Sequence, residues 1–169
     1  LAMAARSSSP SPSPTDWLAL DRQVCFALYA ASLAMTKAYK PLLAPLGLTY
    51  PQYLVMLVLW EQGPVTVKAL GERLLLESGT LSPLLQRLER RRLVRKAPDA
   101  EDARRVLVSL TARGEALRAE AAQVPEALLC RLRERGGEGA LALADSLRTQ
   151  LRGVLSAWLP PGGRPHEHL

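Results

Sequence analysis

Apolar side chains recur at helical spacing from about Trp17 to Tyr39, at Leu20, Val24, Leu28, Ala31 and Met35, with no Gly or Pro between them. That pattern predicts one long helix ending before Pro41. Pro41, Pro45 and Gly47 then make an irregular link. Thr49, Pro51 and Gln52 read as N-cap, early-turn proline and capping-box partner of a second helix that runs to about Glu61. Gly63 and Pro64 break it, and Thr66 starts a short helix through VKALGERL that ends near Leu75.

The next segment, LESGTLSPLLQRLERRRLV, places Leu81, Leu84, Leu85 and Leu88 on one helical face and Ser82, Gln86, Arg87 and Arg90 on the other. A short helix, a tight link and an amphipathic helix with a polar start form a helix-turn-helix arrangement, the second helix sized for the major groove. Pro83 must sit within its first turns. LVRKAP and RRVLVSL are short β-prone runs around the turn-like DAEDA, hence a hairpin that acts as a wing. Thr111 caps a helix through ARGEALRAEAA, Pro125 interrupts, and GGEG precedes a last amphipathic helix from about Ala140 to Trp158. Its Leu141, Leu147, Leu151 and Leu155 suit dimerisation. The fold class expected is mainly α with a small β-hairpin wing, a winged helix-turn-helix. Residues 5–15, ARSSSPSPSPT, offer little to bury and read as disordered.

Charge sharpens this picture. The 169-residue chain carries a formal +6, and the excess is local: residues 68–96 hold eight Lys or Arg against three acids. A basic run is often only a solvated helix face, but this one coincides with the helix-turn-helix. The polar and basic residues Lys68, Ser78, Thr80, Ser82, Gln86, Arg87 and Arg95 are therefore candidates for phosphate and base-edge contacts. Arg104 and Arg105, near the tip and base of the wing, could reach the minor groove or a phosphate.

The candidate chemistry lies elsewhere. Cys25 sits within the first helix, and Tyr29, four residues on, shares its face. Free cysteines are commonly buried as small hydrophobes, so this pair also reads as ordinary core. Tyr39 lies 14 positions after Cys25, about 21 Å along a continuous helix. If both line one pocket, the second comes from elsewhere, most economically from the same helix of an antiparallel symmetry mate; Tyr50 could join either way. Phe26, Leu28, Met35 and Trp60 could wall such a pocket or equally be core.

The second cysteine, Cys130, lies 105 positions from Cys25. Two isolated cysteines make neither a CxxC redox motif nor a zinc site, and both histidines, His166 and His168, fall in the terminal PPGGRPHEHL. No metal or other cofactor is expected. With no signal-peptide pattern and no apolar run of about 18 residues, the protein is expected in the cytoplasm, away from membranes. Its thiols would rest reduced, and a disulfide there would be a transient sensing event.

Taken together, CFALYAAS, KAYKPLLAPLGLTYPQYLVMLVLWE, SGTLSPLLQRLE and DARRVLVSLT resemble the MarR family of dimeric regulators, specifically its organic-hydroperoxide-sensing OhrR branch, over about residues 18–130. The wing and helix-turn-helix are generic to that family; the cysteine-tyrosine block is specific to the branch. The resemblance implies that Cys25 is the peroxide-reactive thiol and that Tyr39 and Tyr50, from the other subunit, are its phenolic hydrogen-bond partners; helix spacing and apolar proximity add Tyr29 and Phe26 to the thiol pocket. It also implies a two-cysteine type in which Cys130 resolves oxidised Cys25 into an intersubunit disulfide. Glu77 replaces the usual aspartate before SGTL, and Ala103 stands where glutamate is common in the wing motif; the Asp102 to Arg104 spacing survives.

The organisation this implies is a disordered arm at 1–16, dimerisation and thiol-sensing helices at 17–48, a winged helix-turn-helix at 49–110, C-terminal dimerisation helices at 111–160 and a disordered tail at 161–169. The function expected is a repressor, not an enzyme: a reduced homodimer on double-stranded operator DNA, released when an organic hydroperoxide oxidises Cys25. Two alternatives are a MarR-type repressor answering a reversible phenolic or lipophilic effector, and a thiol peroxidase. The peroxidase reading leaves the basic winged helix without a purpose.

Overall fold

A computed structural model describes residues 18–137 and 139–158. The expected arm at 1–16, the tail at 161–169, Trp17 and both histidines lie outside the described residues. Seven helices and three short strands are formed among those described: α1 (Val24–Leu43), α2 (Tyr50–Gln62), β1 (Val65–Thr66), α3 (Val67–Leu74), α4 (Ser78–Arg90), β2 (Val94–Pro98), β3 (Val106–Leu110), α5 (Ala112–Ala121), α6 (Gln123–Gly136) and α7 (Gly139–Trp158). The chain divides into two compact units, one ending at Lys37 and the other beginning at Ala38.

The first unit holds a 3-10 turn at Leu20–Arg22 and the opening turns of α1. The long helix therefore starts at Val24 rather than near Trp17. Leu18, Leu20, Val24, Tyr29, Leu33 and Met35 are all exposed, an apolar set with no core beneath it in one chain.

The second unit carries the core. Its start corrects the expected helix end: α1 continues through Pro41 to Leu43. A proline this close to a helix end removes one hydrogen bond, and the fully buried Leu43 holds the last turn against the core. Leu46 and Leu48 bury next to it, pinning the link to α2 from both sides of Gly47. Gly47 adopts a positive φ of 62°, which a side chain would strain. The capping box at α2 forms as expected, the Thr49 amide donating to Gln52 Oε1 at 2.9 Å. Tyr53, Val55, Met56 and Leu59 of α2 then meet Leu70, Leu81, Leu85, Leu88, Leu93 and Val108 in one cluster.

The sheet is larger than the expected hairpin. β3 pairs antiparallel with β2, from Val94 opposite Leu110 to Pro98 opposite Val106, and also with β1, where Val65 faces Val108 and Thr66 faces Leu107. Two residues are too few to show alternation, so β1 left no trace in the hydropathy pattern. Pro125 is the other correction. It lies third in α6, where a helix has no use for the missing amide, and the break between α5 and α6 falls at Ala122 instead. Among the described residues no helix is long and apolar enough to cross a membrane.

Candidate functional site

The helix-turn-helix is built by local rules. Thr66 caps α3 by accepting from the Ala69 amide at 3.1 Å. α3 stops where Leu75 turns left-handed at φ 55° and the Leu76 amide donates to the Gly71 carbonyl at 2.9 Å. A Cβ on Gly71 would meet the Leu76 carbonyl oxygen at 2.9 Å, so glycine lets the chain fold back this tightly. α4 then lays Leu81, Leu84, Leu85 and Leu88 into the core, each worth about 1.5–3 kcal/mol of burial. Fixing those four leucines fixes the opposite face, and Ser78, Thr80, Ser82, Gln86 and Arg87 all stand exposed as the pattern required.

The wing adds cations beside this face. At its tip the Asp102 carboxylate accepts from the Arg104 amide and Nε, both at 3.1 Å. The Arg104 side chain, then its backbone N–H, hold the Asp102 carboxyl below the usual range. Arg105 pairs with Asp99 at 2.9 Å and Glu101 at 3.7 Å, while Arg95 Nε donates to Ser109 Oγ at 3.0 Å. Lys68, Ser78, Ser82, Arg104 and Arg105 converge on a single groove of about 730 Å³ between α3, α4 and the wing. Thr80, Gln86, Arg87 and Arg95 do not line it. Its floor is largely apolar, from Val67, Leu76, Leu81, Leu85 and Val106, and Glu72 lines it too, so the cations and the Ser78 and Ser82 hydroxyls supply its few polar contacts. Lys96 also lines it and pairs with Glu89 at 3.1 Å, a position that the charge pattern alone does not single out as a contact.

The thiols are both free and exposed. Cys25 lies in the first turn of α1, its Sγ donating to Gln23 Oε1 at 3.6 Å. Tyr29 is exposed and Phe26 half-buried in the same unit, so Cys25 enters no core within the single chain. Cys130 lies on α6 among further exposed apolar residues, Leu129 and Leu132.

The phenols belong to the second unit. Tyr39 and Tyr50 are brought together, ring centroids 4.7 Å apart, and Tyr39 also meets Tyr53 at 5.9 Å. Burial, then the neighbouring Tyr50 and Tyr53 phenols, push Tyr39 up to about 12; burial also raises Tyr50 and Tyr53. Tyr53 escaped the sequence reading, although its spacing of three from Tyr50 was a usable signal. Trp60 resolves as core: it is buried, and its indole N–H donates to the Gly114 carbonyl at 3.0 Å.

Comparison with known proteins agrees with this arrangement. A profile described as MarR family matches residues 46–105. The organic hydroperoxide resistance transcriptional regulator of Bacillus subtilis is 47% identical over 136 residues, 80% of this chain and 92% of that protein. The structure of reduced AbfR bound to DNA superposes with a TM-score of 0.64 at 30% identity, covering 80% of this chain and 94% of that one. Disulfide-formed AbfR gives 0.60 at 30% identity over 84% and 96%; AbfR is a Staphylococcus epidermidis protein. With its relative matched over nearly its full length, the chain belongs to the MarR family, whose members are transcriptional regulators and not enzymes.

Proposed function

We propose that this regulator is an organic-hydroperoxide-sensing repressor of the two-cysteine type, a homodimer that binds a pseudo-palindromic operator when reduced and leaves it when oxidised. The observation that carries the reading is the exposure of two free thiols, Cys25 and Cys130, on helices that also expose apolar side chains, Tyr29, Leu33 and Met35 on α1 and Leu129 and Leu132 on α6. Two reactive sulfurs on surfaces fit to meet a second copy are what an intersubunit disulfide requires. The similarity to a hydroperoxide resistance regulator and to a protein solved in disulfide form supports it.

In this reading the exposed α4 face and the wing groove hold the duplex. Gln86 and Arg87 read base edges, and Lys68, Ser78, Thr80, Ser82, Arg95, Arg104 and Arg105 hold phosphates. The Cys25 thiolate attacks one oxygen of R–O–O–H. The O–O bond breaks, the alcohol leaves with a proton, and a sulfenic acid remains. The phenols of Tyr39 and Tyr50, protonated at neutral pH, serve as hydrogen-bond donors to the peroxide or the sulfenate. Cys130 of the partner subunit then attacks the oxidised sulfur and expels water, closing the disulfide. A dimer reads half-sites about one helical turn apart, so a subunit shift that spoils this spacing loses half the contacts. Moving a population from 99:1 to 1:99 takes about 5.5 kcal/mol of differential stabilisation.

The test is a non-reducing gel of purified protein titrated with an organic hydroperoxide, run beside a gel shift on operator DNA. A reductant-sensitive covalent dimer in the wild type, absent from Cys25→Ser and Cys130→Ser, is the expected result. Equal operator affinity before and after oxidation would overturn the reading. Release that survives in Cys25→Ser would point to a reversible effector instead.

A further inference from the structure

Beyond the core packing of α2 on α4, one side chain that the proposed chemistry does not use ties the link beside the phenols to the recognition helix. Arg91 follows the last residue of α4, its own amide bonded to the Arg87 carbonyl at 3.2 Å. The guanidinium reaches back to the link between α1 and α2. There Nη2 donates to the Leu46 carbonyl at 3.0 Å and Nη1 to the Gly47 carbonyl. That link is stiff: Leu46 and Leu48 are buried, and the Leu48 amide closes onto the Leu43 carbonyl at 3.2 Å. It leads within three residues to Tyr50, whose ring packs at a tilt against Tyr39. Gly47 has the matching shape, since a Cβ there would meet Arg91 Nη2 at 2.7 Å in a backbone already at φ 62°.

We infer that Arg91 is a positioning residue that couples the Tyr39–Tyr50 platform to the recognition helix α4, its planar fork clamping the two consecutive carbonyls of the α1–α2 link. This inference rests on the peroxide-sensing reading above. A shift of the phenols moves Tyr50 and the link behind it, and the clamp passes that displacement to the C-terminal end of α4. Lysine keeps the charge but lacks a rigid pair of donors able to hold two carbonyls at once. Arg90 and Arg92, the flanking cations, make no such contact in any hydrogen bond described.

The experiment compares Arg91→Lys, Gly47→Ala and the double variant with wild type, measuring operator affinity of reduced and hydroperoxide-treated protein at fixed salt. Expected for Arg91→Lys is reduced-state affinity within about threefold of wild type and a ratio of oxidised to reduced Kd at least about tenfold smaller. Gly47→Ala should lower the ratio similarly, and the double variant should be no worse than either single change, because both break one contact. A ratio unchanged in Arg91→Lys overturns the inference, as does a uniform loss of affinity in both states, which would make Arg91 a phosphate contact. A wild type whose affinity ignores the hydroperoxide brings down the sensing reading and this inference with it. A wild type that responds beside an Arg91→Lys that responds equally brings down this one alone.

Discussion

Tyr39 near the end of α1 and Tyr50 at the start of α2 pack with ring centroids 4.7 Å apart and planes tilted by 38°, although eleven positions and a chain reversal separate them. The contact depends on the link between them being nailed down by three buried leucines, Leu43, Leu46 and Leu48. It also explains the ionisation of Tyr39, pushed up to about 12 chiefly by burial and then by its phenolic neighbours.

Linkage gives the first prediction. A phenol whose folded pKa lies above its unfolded value of about 10 favours the native state while protonated. The unfolded chain releases this proton first, so the stabilisation is fully present below about pH 10 and is lost progressively as pH rises toward about 12. Urea denaturation should show stability falling across that window, and Tyr39→Phe should show a shallower fall. Identical slopes in the two proteins would refute the assignment.

Trp60 and Gly114 join α2 to α5, and each can be removed separately. Trp60→Phe keeps most of the buried ring but leaves the Gly114 carbonyl without its indole donor. The expected loss is about 1–3 kcal/mol by chemical denaturation. Gly114→Ala should cost at least as much, because its Cβ would overlap the Leu93 carbonyl, which is backbone and cannot swing away. Wild-type stability in Gly114→Ala would show that the α5 start can yield.

Most of this architecture is legible along the chain because burial in α4 is periodic. Four leucines at helical spacing commit one face, and the exposed contact row follows without further information. Caps at Thr49, Thr66 and Thr111 were equally readable, since the bonds they make span only three residues. What escaped depends on contacts between distant segments. Val65–Thr66 become a strand only because β3 lies beside them. The final turn of α1 survives Pro41 only because Leu43 has a core to enter. Arg91 is indistinguishable in sequence from Arg90 and Arg92 until the link carries its carbonyls to within reach. The placement of Trp60, open between pocket and core, was decided by a carbonyl 54 residues away.

Contacts on the recognition face should separate by salt dependence. Lys68 projects from α3 with only a 3.9 Å pairing to Glu72 and a largely exposed side chain. If it holds a phosphate, Lys68→Ala weakens binding to all sequences alike, and the slope of log K against log salt becomes shallower by about 0.9. Gln86→Ala, on the outward face of α4, should leave that slope intact and relax preference at one base pair, a loss of about 1–3 kcal/mol of discrimination. Fluorescence anisotropy with operator and scrambled duplexes at several salt concentrations distinguishes them. A Gln86→Ala variant with unaltered preference would remove it from base readout.

The wing tip offers the last test, because Asp102 orders a cation without being buried itself. Its carboxylate takes both the amide and the Nε of Arg104, and those bonds hold it below the usual carboxylate range. For a depressed carboxyl the stabilisation is present above the unfolded value and vanishes only as pH falls through the folded one. The Asp102–Arg104 bonds are therefore retained at neutral pH and weaken only in acid. Asp102→Ala releases Arg104 from the turn while leaving the core and α4 untouched. Operator affinity should fall by about tenfold, the order of one misplaced polar contact, with at most a small drop in thermal midpoint, as for a solvent-exposed pair, and amide exchange at Arg104 accelerated. Unchanged affinity alongside faster exchange would show that the Arg104 guanidinium reaches the duplex without help from Asp102.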